Sequence, residues 1–522
     1  MEETQPNEKT GSENEEGVLA IKSALIAVYH KEGIDPIVRK LHELGIEIYS
    51  TGGTHDHIRS MDYPVRSVEG LTSFPSIFGG RVKTLHPKIF GGILARREVK
   101  VDSDQLEDFH IPEIDLVIVD LYPFEESLAD GGSEQAIIEK IDVGGIAMIR
   151  AAAKNFENVL VVPSRQDYAS LMELLSERNG RCDRSDRKAF AQKAFYVSSH
   201  YDTKIADFFD PSGREFRKSY RPKKELRYGE NPHQKGAFYG DLEDAFEQLN
   251  GKSLSYNNLL DLDAATRLIR EFDNEDPTVA ILKHNNPCGV ATRKELLNAW
   301  GAAKAGDPVS AFGGIIISDQ EVDQASAEAI ADLFFEVLIA PSYQEEALKI
   351  LQAKKKRIIL RQKKDPFQEE NFRSALNGVL SQDSDDRTET RQDLESVTKK
   401  EPSEKEIDDL LFGIRIAKHT RSNTIVLAKD QQLVGSGTGQ TSRVDALKHA
   451  IQKAGAFGFN LEGAVMASDA FFPFPDCVDI AHETGIRSVI QPGGSVKDQE
   501  SIDHCDQYGM SMVLTGIRHF KH

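Results

Sequence analysis

The chain predicts an α/β fold with a doubly wound parallel sheet, and three observations carry that expectation. Short apolar runs of strand length alternate with stretches of helical spacing. Glycine pairs stand where a run hands over to a helix. Polar residues gather at the ends of runs, where open α/β sheets bind their ligands. At 522 residues the chain is too long for one ordinary core, so two to four domains are expected.

Residues 1–17 are rich in Glu, Asn, Thr and Gly and read as a disordered tail. The run 21–29 (IKSALIAVY) reads as a buried strand. Ile34, Ile37, Leu41 and Leu44 then keep helical spacing, with Gly45 as a stop. The next strand is 46–50 (IEIYS), which enters the turn Thr51, Gly52, Gly53, Thr54 and another helix. Residues 116–122 (LVIVDLY) and 159–163 (VLVVP) are further strands. A long amphipathic stretch, 187–209, closes a first domain spanning 18–219. A second α/β domain spans 220–522, with strands expected at 278–282, 314–318, 424–428, 465–468 and 488–491. Residues 381–405 hold almost no apolar side chains. They read as an exposed linker between two lobes of similar build.

The formal net charge of -20 argues against a general nucleic-acid binder, which needs a basic face. Cys182, Cys288, Cys477 and Cys505 have no paired spacing, as suits a reducing cytoplasm. No apolar run approaches the ~20 residues of a membrane helix.

Two regions carry chemistry. In the first, the TGGT turn lets backbone N–H groups approach a ligand at a helix start, which favours phosphate. The segment 79–87 (GGRVKTLHP) places Arg81, Lys83, Thr84 and His86 together without helical period, as in an anion-gripping loop. Tyr122 follows a strand end. Asp142 stands beside the glycine pair Gly144 and Gly145, and Lys154 follows three alanines. In the second region, the run 278–282 ends in adjacent Lys283 and His284, read as the mouth of a buried parallel strand. A neighbouring ammonium disfavours imidazolium, which would keep His284 neutral as a base. A zinc deaminase is a competing reading, but Cys288 lacks the second cysteine that such a site needs. A non-catalytic nucleotide sensor is another, opposed by Lys83, Lys283 and His284.

The motifs STGGT, GGRVKTLHP, LYPF, IDVGG and RAAAKN occur in order. They are followed by LRYGENPHQ, KHNNPCG, DPVSAFGG, RSNTIV, GTGQTSRVDA, SDAFFPF, QPGGS and IRHFKH. On these the chain resembles the bifunctional phosphoribosylaminoimidazolecarboxamide formyltransferase and inosine monophosphate cyclohydrolase family. The resemblance implies a methylglyoxal-synthase-like first domain, then a formyltransferase region of two cytidine-deaminase-like α/β subdomains. It implies that the enzyme formylates the aminoimidazole carboxamide ribotide and closes the product to inosine monophosphate.

By the same resemblance Lys31, Thr51, Gly52, Gly53, Thr54, Arg81, Lys83 and Thr84 surround the nucleotide phosphate, and Gly144 and Gly145 bind substrate. Lys83, Tyr122, Asp142 and Lys154 surround the reacting centre of ring closure. His284 and Lys283 are the catalytic pair of formyl transfer. Arg227, Tyr228, Arg443 and Arg518 bind the nucleotide. Asn423 and Phe471 frame the folate and amine, and Asp476 holds the carboxamide. The implied co-substrate is 10-formyltetrahydrofolate, with no metal or redox cofactor, though a monovalent cation is allowed by analogy. The implied assembly is a homodimer with formyltransferase sites at its interface, without nucleic acid or membrane partners. Two departures stand out. Residues 27–31 read AVYHK where the family commonly has SVSDK, which turns attention to Tyr29 and His30. Pro475 stands where Arg is common.

Overall fold

The computed structural model describes residues 17–220, 223–272, 276–365 and 370–522. The expected tail lies outside the described residues except for Gly17. That residue is tied down, since the buried Arg187 donates from Nη1 and Nη2 to its carbonyl, each at 3.1 Å. The chain falls into two compact units, one ending at Ser219 and the other starting at Tyr220.

The first unit is built on a five-stranded sheet in which every pairing is parallel. Strand Ser23–Val28 lies at its centre, between Glu47–Ser50 and Leu116–Asp120. Arg66–Ser67 and Leu160–Val162 form the edges. Leu116, Val117, Ile118 and Val119 are all buried, because helices cover both faces and leave no polar side to alternate with. Helix Ile34–Glu43 buries Ile34, Ile37, Val38 and Leu41, one stripe at helical spacing. Each such side chain contributes about 1.5–3 kcal/mol by leaving water. Gly45, at φ 69°, ends that helix in the left-handed region. The chain leaves the central strand toward Glu47–Ser50 and later returns on its other side as Leu116–Asp120. Strand order reverses there, so the carboxyl ends of Ser23–Val28 and Leu116–Asp120 open a crevice.

The second unit contains one architecture twice. Its first six-stranded sheet runs Phe246–Asn250, Ile358–Gln362, Val337–Ala340, Ile315–Ser318, Thr278–Lys283, Asn286–Thr292. The other runs Glu395–Ser396, Ser511–Leu514, Ser488–Gln491, Val465–Ser468, Ile425–Ala428, Leu433–Gly437. Strand order and every parallel or antiparallel pairing agree between them. The helices Tyr256–Ile269 and Glu404–Lys418 both begin with a serine capping box, at Ser255 and Ser403. Gly289 and Gly435 are also equivalent. A Cβ on either would come within 2.4 Å of a helix carbonyl, Ala303 O at 2.0 Å or Ala450 O at 2.4 Å. Side chains from both lobes, among them Leu268, Val290, Phe412 and Val426, share one core.

Two expectations are corrected here. Thr278–Lys283 is antiparallel to both of its neighbours, not a parallel strand. An apolar run fixes burial but carries no sign of strand direction. The segment 381–405 is mostly exposed but is not a free linker. Residues up to Asp383 belong to a hairpin, Glu370–Ala375 with Gly378–Asp383. Beyond it, Glu389 is fully buried and accepts from His519 Nε2 at 2.7 Å, while Thr388 Oγ1 donates to Glu271 at 2.5 Å. Lys418 Nζ donates to Arg387 O at 2.8 Å. Buried charge orders this segment where apolar area does not.

Burial alone would lower the pKa of His519, but its bonds to Asp385 and Glu389 prevail and push it up to about 9. A raised folded-state pKa contributes stability in full below the unfolded value of 6.5 and loses it as pH rises through about 9. The stability gap between the native protein and His519→Gln should therefore narrow between these limits in urea unfolding. A gap that stays constant or widens with pH would refute the buried charge pair.

Candidate active sites

The crevice of the first unit is a cavity of about 770 Å³. Its walls include Lys31, Thr51, Gly53, Thr54, Arg81, Lys83, Thr84, Tyr122, Asp142, Gly144 and Gly145. Two helices aim their N-termini into it. Helix Gly52–Ser60 starts at Thr51, whose hydroxyl donates to Glu69 at 2.6 Å rather than capping the helix. The first-turn N–H groups are thus left for a ligand. Gly52 has φ 53°, and a Cβ there would stand 3.3 Å from Lys83 Nζ. The left-handed backbone favours glycine at this position, and the Lys83 ammonium lies close over the helix start. Thr54 Oγ1 bonds Val28 N at 3.1 Å and Val28 O at 2.8 Å, joining the turn to the central strand.

Helix Gly144–Lys154 supplies the other N-terminus. Asp142 Oδ1 accepts from Gly145 N at 2.6 Å, and a Cβ on Gly145 would fall 2.5 Å from its Oδ2. Tyr201, a residue the sequence did not single out, accepts from Asp142 N at 2.8 Å and donates to Lys140 O at 3.0 Å. It lies within the long helix Arg184–Phe209, where nothing in the sequence sets it apart from its neighbours.

The charges of this cavity are mutually tuned. Burial raises Asp142 above the ordinary carboxyl value, against the N–H groups of Gly145 and Tyr122 and the charge of Lys83. Burial, with Asp142 and Tyr29 adding to it, raises Tyr122 as well, so its phenol is a donor at neutral pH. Burial lowers Lys31, with Lys83 adding to it, against the pull of Asp120 and Glu32. Lys31, Lys83 and the uncapped start of helix Gly52–Ser60 make a local field that favours a phosphate, while Asp142 occupies the start of helix Gly144–Lys154.

Some expected members are placed otherwise. Lys154 is exposed at the far end of helix Gly144–Lys154, about 15 Å of helix rise from Asp142, so the two do not meet within the chain. Arg81 lines the cavity but is paired with Glu139. His30 is bound to Asp120 at 2.7 Å, leaving Tyr29 as the substituted residue that faces the cavity. Tyr29 meets Tyr122 edge-on, with ring centroids 5.2 Å apart.

In the second unit, Lys283 pairs with Asn286 across a two-residue turn of His284 and Asn285. Both turn residues are left-handed, at φ 50° and 65°. The turn is therefore at His284 and Asn285, and Asn286, Pro287, Cys288 and Gly289 open strand Asn286–Thr292. Left-handed backbone costs a residue with a Cβ about 1–2 kcal/mol. The turn is held by Asp261, whose Oδ1 accepts from Asn285 N at 2.6 Å. Burial raises Asp261, opposed by that N–H and by His284 and Lys283. Lys283 Nζ donates to Phe312 O at 2.8 Å, and His284 is exposed. The apolar rim beside this anchor, Val309 and Phe312 with Phe334, is also exposed. Asn286 Oδ1 accepts from Arg421 N at 3.1 Å, which joins the turn to the loop carrying Asn423. Lys521 N donates to Ser422 Oγ at 3.0 Å and brings the C-terminal segment to the same loop.

Arg443, expected to bind nucleotide, is engaged within the chain. Its buried guanidinium pairs with the fully buried Asp469 and donates to Ser468 Oγ at 2.9 Å and Asn423 Oδ1 at 2.8 Å. Asn423 spends its amide on Gln440 O at 3.0 Å. Phe471 is exposed, and Asp476 begins helix Asp476–Glu483, preceded by Pro475. Arg227 is exposed against Tyr228, and Arg518 lies over Phe520 at 4.4 Å. Among the described residues, no bond joins Arg227, Tyr228 or Asp476 to the Lys283 turn. Cys288 is buried under Ile281 O, and burial pushes its thiol up to about 12, an inert core group.

A parallel crevice lined by cations and a helix start, followed by a duplicated α/β unit with a lysine-histidine turn, is the build of a two-unit α/β enzyme with two candidate sites. The family model described as AICARFT/IMPCHase bienzyme matches residues 152–453, and that of the MGS-like domain matches residues 33–147. Curated relatives include three named bifunctional purine biosynthesis protein PurH. That of Bacteroides thetaiotaomicron is 59% identical over 503 residues, covering 96% of this chain and 99% of its own. That of Aquifex aeolicus is 47% identical, covering 96% and 100%. That of Chlorobium phaeobacteroides strain BS1 is 46% identical, covering 96% and 99%. The chain belongs to the AICARFT/IMPCHase bienzyme family. It is a bifunctional enzyme of purine biosynthesis, a formyltransferase and a cyclohydrolase in one polypeptide, and a folate is its formyl donor.

Arg443→Ala would leave Asp469 buried and unpaired. It is expected to destabilise the second unit by about 3–5 kcal/mol in denaturant unfolding. A cost below about 1 kcal/mol would restore Arg443 as a free binding residue.

Proposed function

We propose that the unit ending at Ser219 closes the ring and the unit from Tyr220 transfers the formyl group. The observation that carries the first assignment is the convergence of Lys83, Tyr122 and Asp142 beside two helix N-termini in one cavity. The nucleotide phosphate lies against Lys31, the 51–54 turn and Thr84. The carboxamide nitrogen attacks the formyl carbon of the same molecule, so holding the two groups together supplies much of the rate. Lys83 and the protonated Tyr122 donate to the oxygen that gains charge. The carboxyl of Asp142 orients the carboxamide and receives its proton, and water leaves as the ring becomes aromatic.

In the second unit, His284 takes a proton from the 5-amino group as that nitrogen attacks the formyl carbon of 10-formyltetrahydrofolate. Lys283 stabilises the oxyanion, and tetrahydrofolate departs protonated. Positioned acid and base groups of this kind give about 10²–10⁴-fold each. Arg227, Tyr228, Arg518, Asn423, Phe471 and Asp476 complete the nucleotide and folate contacts. The exposed apolar Val309, Phe312 and Phe334 beside the Lys283 anchor favour a homodimer that assembles this site from two copies. Four free thiols accord with a reducing cytoplasm. Among the described residues, no helix is long and apolar enough to cross a membrane.

Lys83→Ala should stop ring closure and let formylated ribotide accumulate, as followed by chromatography. Inosine monophosphate formed at the native rate would remove Lys83 from the mechanism. His284→Ala should abolish folate-dependent formylation while still closing formylated ribotide supplied from outside. Loss of both reactions together would contradict separate sites.

A further inference from the structure

The duplication within the second unit allows its two lobes to be read against each other at the catalytic turn. In the first lobe Lys283 and Asn286 flank the left-handed pair His284 and Asn285. In the second, Lys429 and Gln432 exchange backbone bonds of 3.0 and 3.1 Å around Asp430 and Gln431. These two are left-handed as well, at φ 52° and 50°. Neither turn contains the glycine or Asn-Gly pair that such hairpins favour. Both are instead tied to a carboxylate on the helix that precedes the strand, seventh residue counting the capping serine as one. Asp261 Oδ1 accepts from Asn285 N at 2.6 Å, and Asp409 Oδ1 accepts from Gln431 N at 2.6 Å. Asp409 Oδ2 also accepts from Asp430 N at 2.9 Å.

The lysines then diverge. Lys429 Nζ is taken up by Glu462 O at 2.6 Å and Asn460 O at 3.3 Å. Lys283 Nζ has the single carbonyl of Phe312, and His284 is replaced in the second lobe by Asp430. One hairpin scaffold therefore stands in a chemically equipped form and in a form without the histidine. The aspartate tether is common to both, so it serves the backbone of the turn.

We infer that Asp261 is a positioning residue for formyl transfer, holding the His284–Asn285 turn in its left-handed form through the Asn285 N–H. This rests on the role proposed above for His284. Without the tether, the two strained turn residues keep only the bond from Asn286 Nδ2 to His284 O, at 2.8 Å, and the Asn285 N–H is left unheld, which loosens the imidazole's point of departure. Asp261 neither touches substrate nor moves a proton.

The test is steady-state formyl transfer, with aminoimidazole carboxamide ribotide and 10-formyltetrahydrofolate, by the full-length enzyme and its variants. Asp261→Ala removes the acceptor and should lower kcat by roughly 10–100-fold. KM for the ribotide should stay within about 2-fold, since ground-state binding does not use this group. Asp261→Asn keeps an oxygen for the Asn285 N–H and should recover most of kcat. Asp409→Ala unties the equivalent turn and should leave kcat near the native value. If Asp261→Ala fails to fold, as read by circular dichroism, Asp261→Ser shortens the reach of the oxygen and carries the same expected loss. An Asn variant as slow as the alanine variant would mean that charge, not the tether, matters and would overturn the inference. So would equal losses in Asp261→Ala and Asp409→Ala, or a folded Asp261→Ala at native kcat. His284→Ala separates the levels. If it keeps formyl transfer, the parent reading fails; if it is dead while Asp261→Ala is fully active, only the positioning role fails.

Discussion

Both sites depend on one constraint: where a buried strand ends, the chain must turn sharply while keeping its backbone groups bonded or aimed at a ligand. In the first unit glycine meets it. Gly52 enters the left-handed region and leaves room for the Lys83 ammonium above a helix start. In the second unit no glycine is present at the turn, and a carboxylate on the preceding helix holds His284 and Asn285 instead. The carboxylate solution is independent of side-chain chemistry, since Asp409 holds the turn of Asp430 and Gln431, which has no histidine, in the same way. A phosphate site needs bare N–H groups, whereas a base needs a side chain at the apex.

Around these turns the sheets act as rigid frames. The parallel sheet of the first unit has its order reversal beside Ser23–Val28, and so its crevice falls at the carboxyl ends of Val28 and Asp120. Lys31, Tyr122 and Asp142 reach that crevice from three different connections, and Tyr201 fixes the last of them from a distant helix. In the second unit the repeated order of six strands supplies two hairpins of the same build. The buried Arg443–Asp469 pair and the Glu389–His519 pair then fasten the loops and the C-terminal segment around them.

Much of this is legible in the amino-acid sequence, and the gaps have physical causes. Helix Ile34–Glu43 follows directly from four apolar residues at helical spacing. The STGGT turn, the GGRVKTLHP loop and the LYPF and IDVGG motifs together supply most of the first cavity wall, because glycines, cations and a carboxylate without helical period gather there. Lys154 stands at the opposite end of helix Gly144–Lys154 from Asp142, because position along a helix converts to distance at a fixed rise. Thr278–Lys283 misleads because a strand buried on both faces looks alike whether its neighbours run parallel or antiparallel. Arg443 reads as a ligand-binding cation until its partner Asp469 appears from a strand end 26 residues further along. Residues 381–405 look unable to order themselves because their anchors, Glu389 and Thr388, are polar and their partners lie far away in the chain.

The central claim is that each reaction has its own site and that the product of one is the substrate of the other. The most direct measurement mixes two defective enzymes, Lys83→Ala and His284→Ala, in one cuvette with aminoimidazole carboxamide ribotide and 10-formyltetrahydrofolate. Separate sites predict that inosine monophosphate, absent with either variant alone, appears in the mixture at a rate rising with the amount of both. A mixture as inactive as its components, with each still folded, would contradict the account.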